Sequence, residues 1–247
     1  MTRRQMLYGI GGIVLVGVIV VVAVLAWMFI NDNSEASAPI SAPTLVPENG
    51  DTVADDPEIG GSESSGMGVV FRISQEESTA RYIIDELLNG QPNTVVGETD
   101  QIAGDILVDF ETPGNSQIGT LRINVRTLET DSSMRDRTTR TMILQSSQDA
   151  FEFSEFVPTA VTGFPDEMVM GEVMTLQITG DLTVRDVTSS VTFEAIVTAV
   201  SETRLEGSAS GIVQRADYGL TIPNVPRVAD VSEDVLLEID FVALAVE

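Results

Sequence analysis

Apolar and polar residues alternate along most of the chain from Val69 onward, which is the spacing of strands with one buried face. Three runs have this period of two most clearly, at 121–125, 191–199 and 235–243. Glycine and proline separate the runs, as in turns between antiparallel strands. The pattern predicts an all-β domain, arranged as a barrel or a sandwich, with further strands at 68–73, 93–110, 153–162, 172–184 and 203–214.

Two segments depart from this alternation. Residues 131–144 place Met134, Thr138 and Met142 at helical spacing behind Asp131, which can cap a helix, so we predict one short α-helix there. Residues 78–88 are ambiguous, because their apolar positions fit both a helix and a strand. A stretch of about 180 residues suits a single domain, which we assign to 67–247.

Residues 7–30 form a long apolar run without a single charge. A helix needs roughly 20 apolar residues to cross the hydrocarbon core of a bilayer, so this run predicts a transmembrane helix. Arg3 and Arg4 lie on one side of the run, and acidic residues follow on the other. The positive-inside rule then places residues 1–6 in the cytoplasm and the remainder on the extracytoplasmic side of the cell membrane.

A cleaved signal peptide is the alternative reading of this region. Ala36-Ser37-Ala38 has the spacing of a cleavage site, but the apolar run is longer than that of an ordinary signal peptide, which favours an uncleaved single-pass anchor. Residues 31–66 are rich in serine, proline, glycine and acidic residues and contain neither aromatic nor basic side chains. This composition predicts a disordered acidic linker between the anchor and the domain.

Composition excludes several classes of function. The chain has 13 basic and 38 acidic residues, a net charge of −25, and every basic residue is arginine. Such a surface repels phosphate backbones, so we expect no nucleic-acid partner. Without cysteine, histidine or lysine the chain has no disulfide, no histidine-based catalytic triad, no Schiff base and no imidazole metal site. We therefore predict neither a catalytic residue nor a bound metal.

Carboxylate pairs are the remaining catalytic option, as in glycoside hydrolases. The acids close in sequence look like exposed strand edges or loops, so an enzyme is the least favoured hypothesis. A calcium site at 230–234 lacks the spacing of an EF-hand loop. The pairs considered are Asp105 with Asp109, Glu152 with Glu155, and Asp230 with Glu233 and Asp234.

Four segments, in order and at matching spacing over 69–246, resemble the YceI-like family of lipid- and polyisoprenoid-binding proteins. The resemblance implies a lipocalin-like antiparallel β-barrel with a helix laid against it, which encloses an apolar channel for an isoprenoid chain and carries out no reaction. The segments are Glu77-Ser78-x-Ala80-Arg81-Tyr82; Leu128-Glu129-Thr130-Asp131 with Arg135-Asp136 and Arg140; Gly180-Asp181-Leu182-Thr183-Val184-Arg185-Asp186-Val187-Thr188; and Arg215-x-Asp217-Tyr218-Gly219-Leu220 with Val231-x-x-Asp234-Val235.

We expect a membrane-tethered binding protein that sequesters or carries a lipid or isoprenoid-like amphiphile, with no other cofactor. The alternative is a structural or interaction domain whose interior is filled by its own side chains. Arg135 and Asp136 are candidates for contact with a ligand's headgroup, or else form a local ion pair. Arg185 and Asp186 are expected in a turn. The candidate apolar lining comprises Phe71, Tyr82, Phe110, Leu121, Ile123, Leu144, Phe156, Phe193 and Phe241.

Overall fold

The computed structural model describes residues 34–45 and 68–246, and this part of the chain is an all-β domain with one short helix. The helix α1 (Ser133–Thr138) continues without a break into a π-helical turn at Thr139–Ile143, so the short helix predicted at 131–144 is confirmed. The strands are β1 (Val69–Ile73), β2 (Thr79–Leu88), β3 (Gln91–Thr99), β4 (Ile102–Ala103), β5 (Asp105–Val108), β6 (Gln117–Ile118), β7 (Leu121–Asn124), β8 (Phe153–Thr162), β9 (Val173–Val184), β10 (Val187–Ser201), β11 (Arg204–Gln214), β12 (Val228–Ala229) and β13 (Asp234–Ala245).

All strands belong to one antiparallel sheet that curls around the interior. Its central wall is formed by β8, β9, β10, β11 and β13 in succession. Arg185 and Asp186 form the two-residue turn between β9 and β10, as the sequence predicts, and Arg185 takes a positive φ of 59°. One edge of β13 is shared by two strands: its residues 236–240 pair with β2, and its residues 243–245 pair with β1.

The sheet forms a half-barrel and not the closed barrel expected from the family resemblance. β3 pairs with β2 along its length, but its other edge meets only one bridge among the described residues, between Glu98 and Glu129. The segment with α1 lies beside this open edge, and Arg135 of α1 reaches Glu86 on β2. Helix and strand edge thus lie side by side where strand pairing ends.

The predicted strand at 93–110 is in fact three strands, β3, β4 and β5. The chain changes partner twice, since β3 pairs with β2, Ile102 pairs with Ile123 of β7, and β5 pairs with β1. Gly104 stands at the second change, where a Cβ would overlap Leu121. The ambiguous segment at 78–88 is strand β2, so its alternation, and not its helical spacing, is the correct signal.

The interior contains two apolar clusters at opposite ends of the sheet. The lower cluster has Phe71 at its centre, fully buried, and is closed by β1, β4 and β5. The upper cluster surrounds Phe156 and Tyr218 and lies toward α1 and residues 219–231. The lower end is thus a packed core, whereas the upper end contains the cavity described below.

Residues 34–45, the N-terminal strap, lie in irregular backbone against the outside of the domain. Ile40 is buried, Ser37 donates hydrogen bonds to Glu152, and the N–H of Leu45 donates to Asp105. This part of the predicted 31–66 linker is therefore attached to the sheet, because backbone groups of the strap satisfy polar side chains there. The rest of the linker lies outside the described residues.

The predicted transmembrane helix at 7–30 also lies outside the described residues. Among 34–45 and 68–246, no helix combines the length and the apolar character that crossing a bilayer requires.

Two carboxylates expected to be exposed are buried. Asp105 is 3% exposed and receives two hydrogen bonds from Arg72, and Glu152 is 1% exposed beside Arg126. Strand alternation did not reveal them, because each acid is buried by an arginine from another segment. They serve as anchoring points for the N-terminal strap and do not form a pair across a cleft.

Candidate ligand cavity

The upper half of the interior contains a partly open cavity of about 440 Å³, within the usual size range of small-molecule sites. Its wall is predominantly aliphatic and aromatic. Strands β2, β7, β8, β9, β10, β11 and β13 contribute inward-facing side chains, and α1 and residues 219–231 cover it. Six of the nine apolar side chains predicted as lining border it, namely Tyr82, Leu121, Ile123, Leu144, Phe156 and Phe193.

The other three predicted lining residues do not border the cavity. Phe71 is fully buried in the lower cluster, and the ring of Phe110 packs edge-on against it, with ring centroids 6.1 Å apart. Phe241 lies between the two clusters. Alternation correctly places Phe71 and Phe241 on inward positions, but it does not say at which end of the barrel axis an inward side chain lies.

Aromatic rings lie flat on the wall because glycines of neighbouring strands make room for them. A Cβ at Gly97, paired with Tyr82, would overlap the tyrosine ring, and a Cβ at Gly211 would lie 2.8 Å from Phe193 Cδ1. Gly180 faces Phe156 in the same way, at 2.6 Å from Cζ. Each ring occupies space above a glycine instead of projecting into the centre, which keeps the cavity open.

The loop at 219–231 contributes several lining residues that sequence reasoning missed. Arg215 holds this loop, since its guanidinium donates to the carbonyl oxygens of Ser232 at 2.7 Å and Val231 at 3.2 Å and pairs with Glu233. A signal was available, because apolar residues recur on both sides of two prolines in a segment without strand periodicity. The loop residues on the wall are Leu220, Ile222, Pro223, Val225, Pro226, Val228 and Val231.

A polar cluster lies on the cavity wall beneath α1. The Arg135 guanidinium donates to Glu86 Oε1 at 3.3 Å and also pairs with Asp131. Asn93, directly across from Glu86 in the β2–β3 pair, donates to the same Oε1 at 3.0 Å. Glu86 is only 7% exposed. Its position was not predicted, although strand alternation from Tyr82 places it on the inward face.

Tyr82 connects this cluster to the helix. Burial raises the pKa of its phenol, and the hydrogen bond with Thr139 and the positive charge of Arg135 oppose that effect. The site therefore combines an apolar chamber with one group of polar side chains, which is the arrangement of a site for an amphiphile.

Of the two predicted headgroup contacts, Arg135 borders the cavity and Asp136 is not among the residues that line it. Asp136 accepts hydrogen bonds from the Thr130 N–H at 2.8 Å and from the Thr130 hydroxyl at 2.6 Å. It thereby fixes the chain that leads into α1. Arg135 pairs with Glu86 and Asp131 and not with Asp136, so it ties α1 to β2 while it also borders the cavity.

Tyr218 is the most deeply buried polar side chain of the upper cluster, 2% exposed. Its hydroxyl is sealed from solvent and has no hydrogen-bond partner of good geometry among the described residues. Burial raises the pKa of Tyr218 to about 12, with a further contribution from Asp217 and an opposing one from Ser189. The phenol is therefore neutral over the ordinary pH range.

No group of three acidic side chains in the described part of the chain is arranged to hold a metal ion. The charged groups on the cavity wall are engaged in ion pairs, and what the wall offers a ligand is chiefly apolar surface.

A family model and solved structures of known proteins agree on one family for this domain. Residues 71–243 match the family model of the YceI-like domain. A polyisoprenoid binding domain from Saccharophagus degradans, implicated in plant cell wall breakdown, superposes with a TM-score of 0.56 at 17% identity, over 72% of this chain and 99% of that one. BcnA from Burkholderia cenocepacia superposes with a TM-score of 0.52 at 12% identity, over 69% of this chain and 98% of that one. No curated protein matches the sequence.

Proposed function

The chain belongs to the YceI-like family, and from this membership we propose that its domain binds a lipid or isoprenoid-like amphiphile in the upper cavity. The observation that carries the proposal is a partly open apolar cavity of about 440 Å³ that the protein's own side chains leave unfilled. Burying a hydrocarbon chain there releases about 25 cal/mol for each Å² removed from water, so apolar surface alone supplies useful affinity.

The relatives support the chemical class. The Saccharophagus degradans domain is described as polyisoprenoid binding, and it shares the fold of this chain over nearly its whole length. We transfer only the class of ligand, because identities of 12% and 17% leave the lining side chains free to differ.

The proposal includes the location of the protein. The uncharged run at 7–30 and the flanking Arg3 and Arg4 support a single-pass anchor that holds the domain on the extracytoplasmic side of the membrane. Intact-mass measurement of the protein extracted from membranes tests the anchor, because a new N-terminus at Pro39 would contradict it. Protease protection in sealed vesicles tests the orientation.

We propose binding without a chemical reaction. The support is chemical, since the chain contains no histidine, lysine or cysteine. Two carboxylates border the cavity: Glu86 is engaged by Arg135 and Asn93, and Glu238 pairs with Arg81. Release of the extracted ligand in unaltered form is the expected result, and turnover that is lost in Glu86→Gln would contradict it.

The experiment uses the full chain in nanodiscs and an isoprenoid hydrocarbon that carries a photoreactive diazirine and no polar group. After illumination, mass spectrometry of peptides is expected to find label on cavity-wall segments of β2, β10 and β11. Ala209→Leu, which fills the cavity from β11, should abolish that labelling.

Ser210→Leu is the matched control, because the next residue of the same strand lies on the opposite face. It should retain wild-type labelling. Label spread over the outer surface, or label insensitive to Ala209→Leu, would contradict a ligand cavity and favour a structural or interaction domain.

A further inference from the structure

The polar cluster beneath α1 has an unused hydrogen-bond acceptor. Both recorded hydrogen bonds to Glu86, from Arg135 and from Asn93, end on Oε1. Oε2 accepts none from the described residues, and it is not sealed in the way that the Tyr218 hydroxyl is. Because Glu86 borders the cavity, this oxygen is open to a donor that arrives inside it.

The arginines that border the cavity are already engaged. Arg135 is shared between Glu86 and Asp131, Arg81 pairs with Asp240 at 2.7 Å, and Arg215 pairs with Glu233 at 2.7 Å while donating to backbone carbonyls. A phosphate ester on the ligand would have to displace a carboxylate from one of them. Phosphate is normally held by guanidinium groups that are free to form two parallel hydrogen bonds.

The charge around the cluster is negative. Two carboxylates, those of Glu86 and Asp131, pair with the single guanidinium of Arg135, and Asp136 lies next to Arg135 in the sequence, in a chain whose net charge is −25. Inside a partly buried site this repulsion is poorly screened, so an anionic headgroup is disfavoured there by more than it would be at an exposed surface.

We propose that the cavity selects an amphiphile whose polar end is an uncharged hydrogen-bond donor, such as an alcohol, a phenol or an amide, and discriminates against phosphate and diphosphate esters. Glu86 Oε2 accepts the hydrogen bond of that group. The proposal rests on the proposed function, since it names the polar end of the ligand that the same cavity holds.

The test is competition against the diazirine hydrocarbon on the full chain in nanodiscs. Three competitors share one hydrocarbon chain: farnesol, its methyl ether, which lacks the donor, and its monophosphate. Farnesol is expected to compete best, and the monophosphate should need a concentration about tenfold higher or more, as repulsion beside a paired carboxylate implies. The methyl ether should fall between them.

Variants separate the site from partitioning into the lipid, which is the same for every variant. The measured quantity is the ratio of the competing concentration of the monophosphate to that of farnesol. Glu86→Gln should lower this ratio and Arg135→Gln should raise it, because the two changes remove opposite charges. Glu194→Gln, on the exposed face of β10, removes one negative charge elsewhere and should leave the ratio unchanged.

A monophosphate that competes as well as farnesol in the wild-type chain, or a ratio that Glu86→Gln leaves unchanged, overturns this inference while the hydrocarbon still labels the cavity. Failure of the proposed function is a different result, because the hydrocarbon probe would then not label the cavity wall at all.

Discussion

Ser37 donates both its backbone N–H and its hydroxyl to the carboxylate of Glu152, a residue 115 positions later in the chain. Burial alone would raise the pKa of Glu152, but the two hydrogen bonds from Ser37, a third from Asn124 and the charge of Arg126 lower it below its ordinary value. The N-terminal strap thus stabilises a buried charge that the domain would otherwise leave partly unsatisfied.

Ser37→Ala should therefore destabilise the domain by about 1.5–3 kcal/mol near neutral pH, the range for a lost hydrogen bond to a charged group. A lowered native pKa contributes stability above the unfolded value of 4.5, and that contribution disappears as the pH falls through the native pKa. The effect of Ser37→Ala should accordingly shrink in acid. Urea unfolding at about pH 7 and about pH 3 measures it.

Ser41→Ala is the control for this change. Ser41 belongs to the same strap, but it contributes its backbone carbonyl to Arg122, which the substitution retains. Equal losses of stability in both variants would indicate that the hydroxyl of Ser37 has no special role.

Gly97→Ala should reduce ligand capacity. The new Cβ would overlap the ring of Tyr82, so the ring must move away from the wall and toward the cavity, at a cost of about 1–3 kcal/mol for overpacking. Photolabelling of the cavity by the diazirine hydrocarbon, together with thermal unfolding, checks both effects. Gly114→Ala, where a Cβ meets open space, should change neither.

Replacing the ring that obstructs the alanine provides a second check. Gly97→Ala combined with Tyr82→Leu should recover labelling, because the smaller side chain clears the new methyl group. Labelling that stays low in the double variant would show that the glycine acts through the backbone and not through the ring.

Tyr218→Phe should be neutral or stabilising by up to about 1 kcal/mol near neutral pH, because the lost hydroxyl is buried without a well-formed hydrogen bond. Because its pKa is raised, the folded domain loses stability relative to the unfolded chain as the pH rises from about 10 toward about 12, and phenylalanine does not undergo this loss. The variant should therefore resist alkaline unfolding better than the wild type, as followed by circular dichroism.

Tyr82→Phe is the contrasting variant, since the Tyr82 phenol has a hydrogen bond with Thr139. It should cost about 1 kcal/mol at neutral pH. If Tyr218→Phe destabilised the domain as much, the hydroxyl of Tyr218 would have an acceptor that the structure does not contain.

Phe71→Ala and Phe193→Ala should have different effects, the first on stability and the second on ligand size. Phe71 is fully buried in the lower cluster, so its truncation leaves a void and should cost about 3–5 kcal/mol without enlarging the ligand site. Phe193 borders the cavity, so its truncation enlarges the chamber at a smaller cost. Mass spectrometry of extracted ligands should find longer chains bound to Phe193→Ala, and unchanged chains would contradict the assignment of Phe193 to the wall.

Periodicity in the sequence predicted most of the strands, since burial of one face is a local property of a strand. The strand at 153–162 matches β8 to the residue. Periodicity failed at 93–110, because a change of pairing partner depends on residues far away in the chain. The burial of Asp105 and Glu152 was missed for the same reason, as their arginine partners come from other segments.

The cavity was predictable only in part. Alternation identified inward aromatic residues, but the glycines that flatten their rings lie on other strands, and the pairing register cannot be read from one strand alone. Glu86 was within reach of the argument, because it continues the inward positions of Tyr82 and Ile84 on β2. The ambiguity of 78–88 concealed it.

The packed lower cluster gives the domain the shape of a cup with a solid base. α1 and the loop at 219–231 cover the cavity and Phe71 does not border it, so the hydrocarbon tail of the proposed ligand would end short of Phe71. The headgroup of the proposed ligand would then lie beneath α1. The distance from α1 to the lower cluster would therefore limit the length of the hydrocarbon tail, independently of how the polar cluster selects the headgroup.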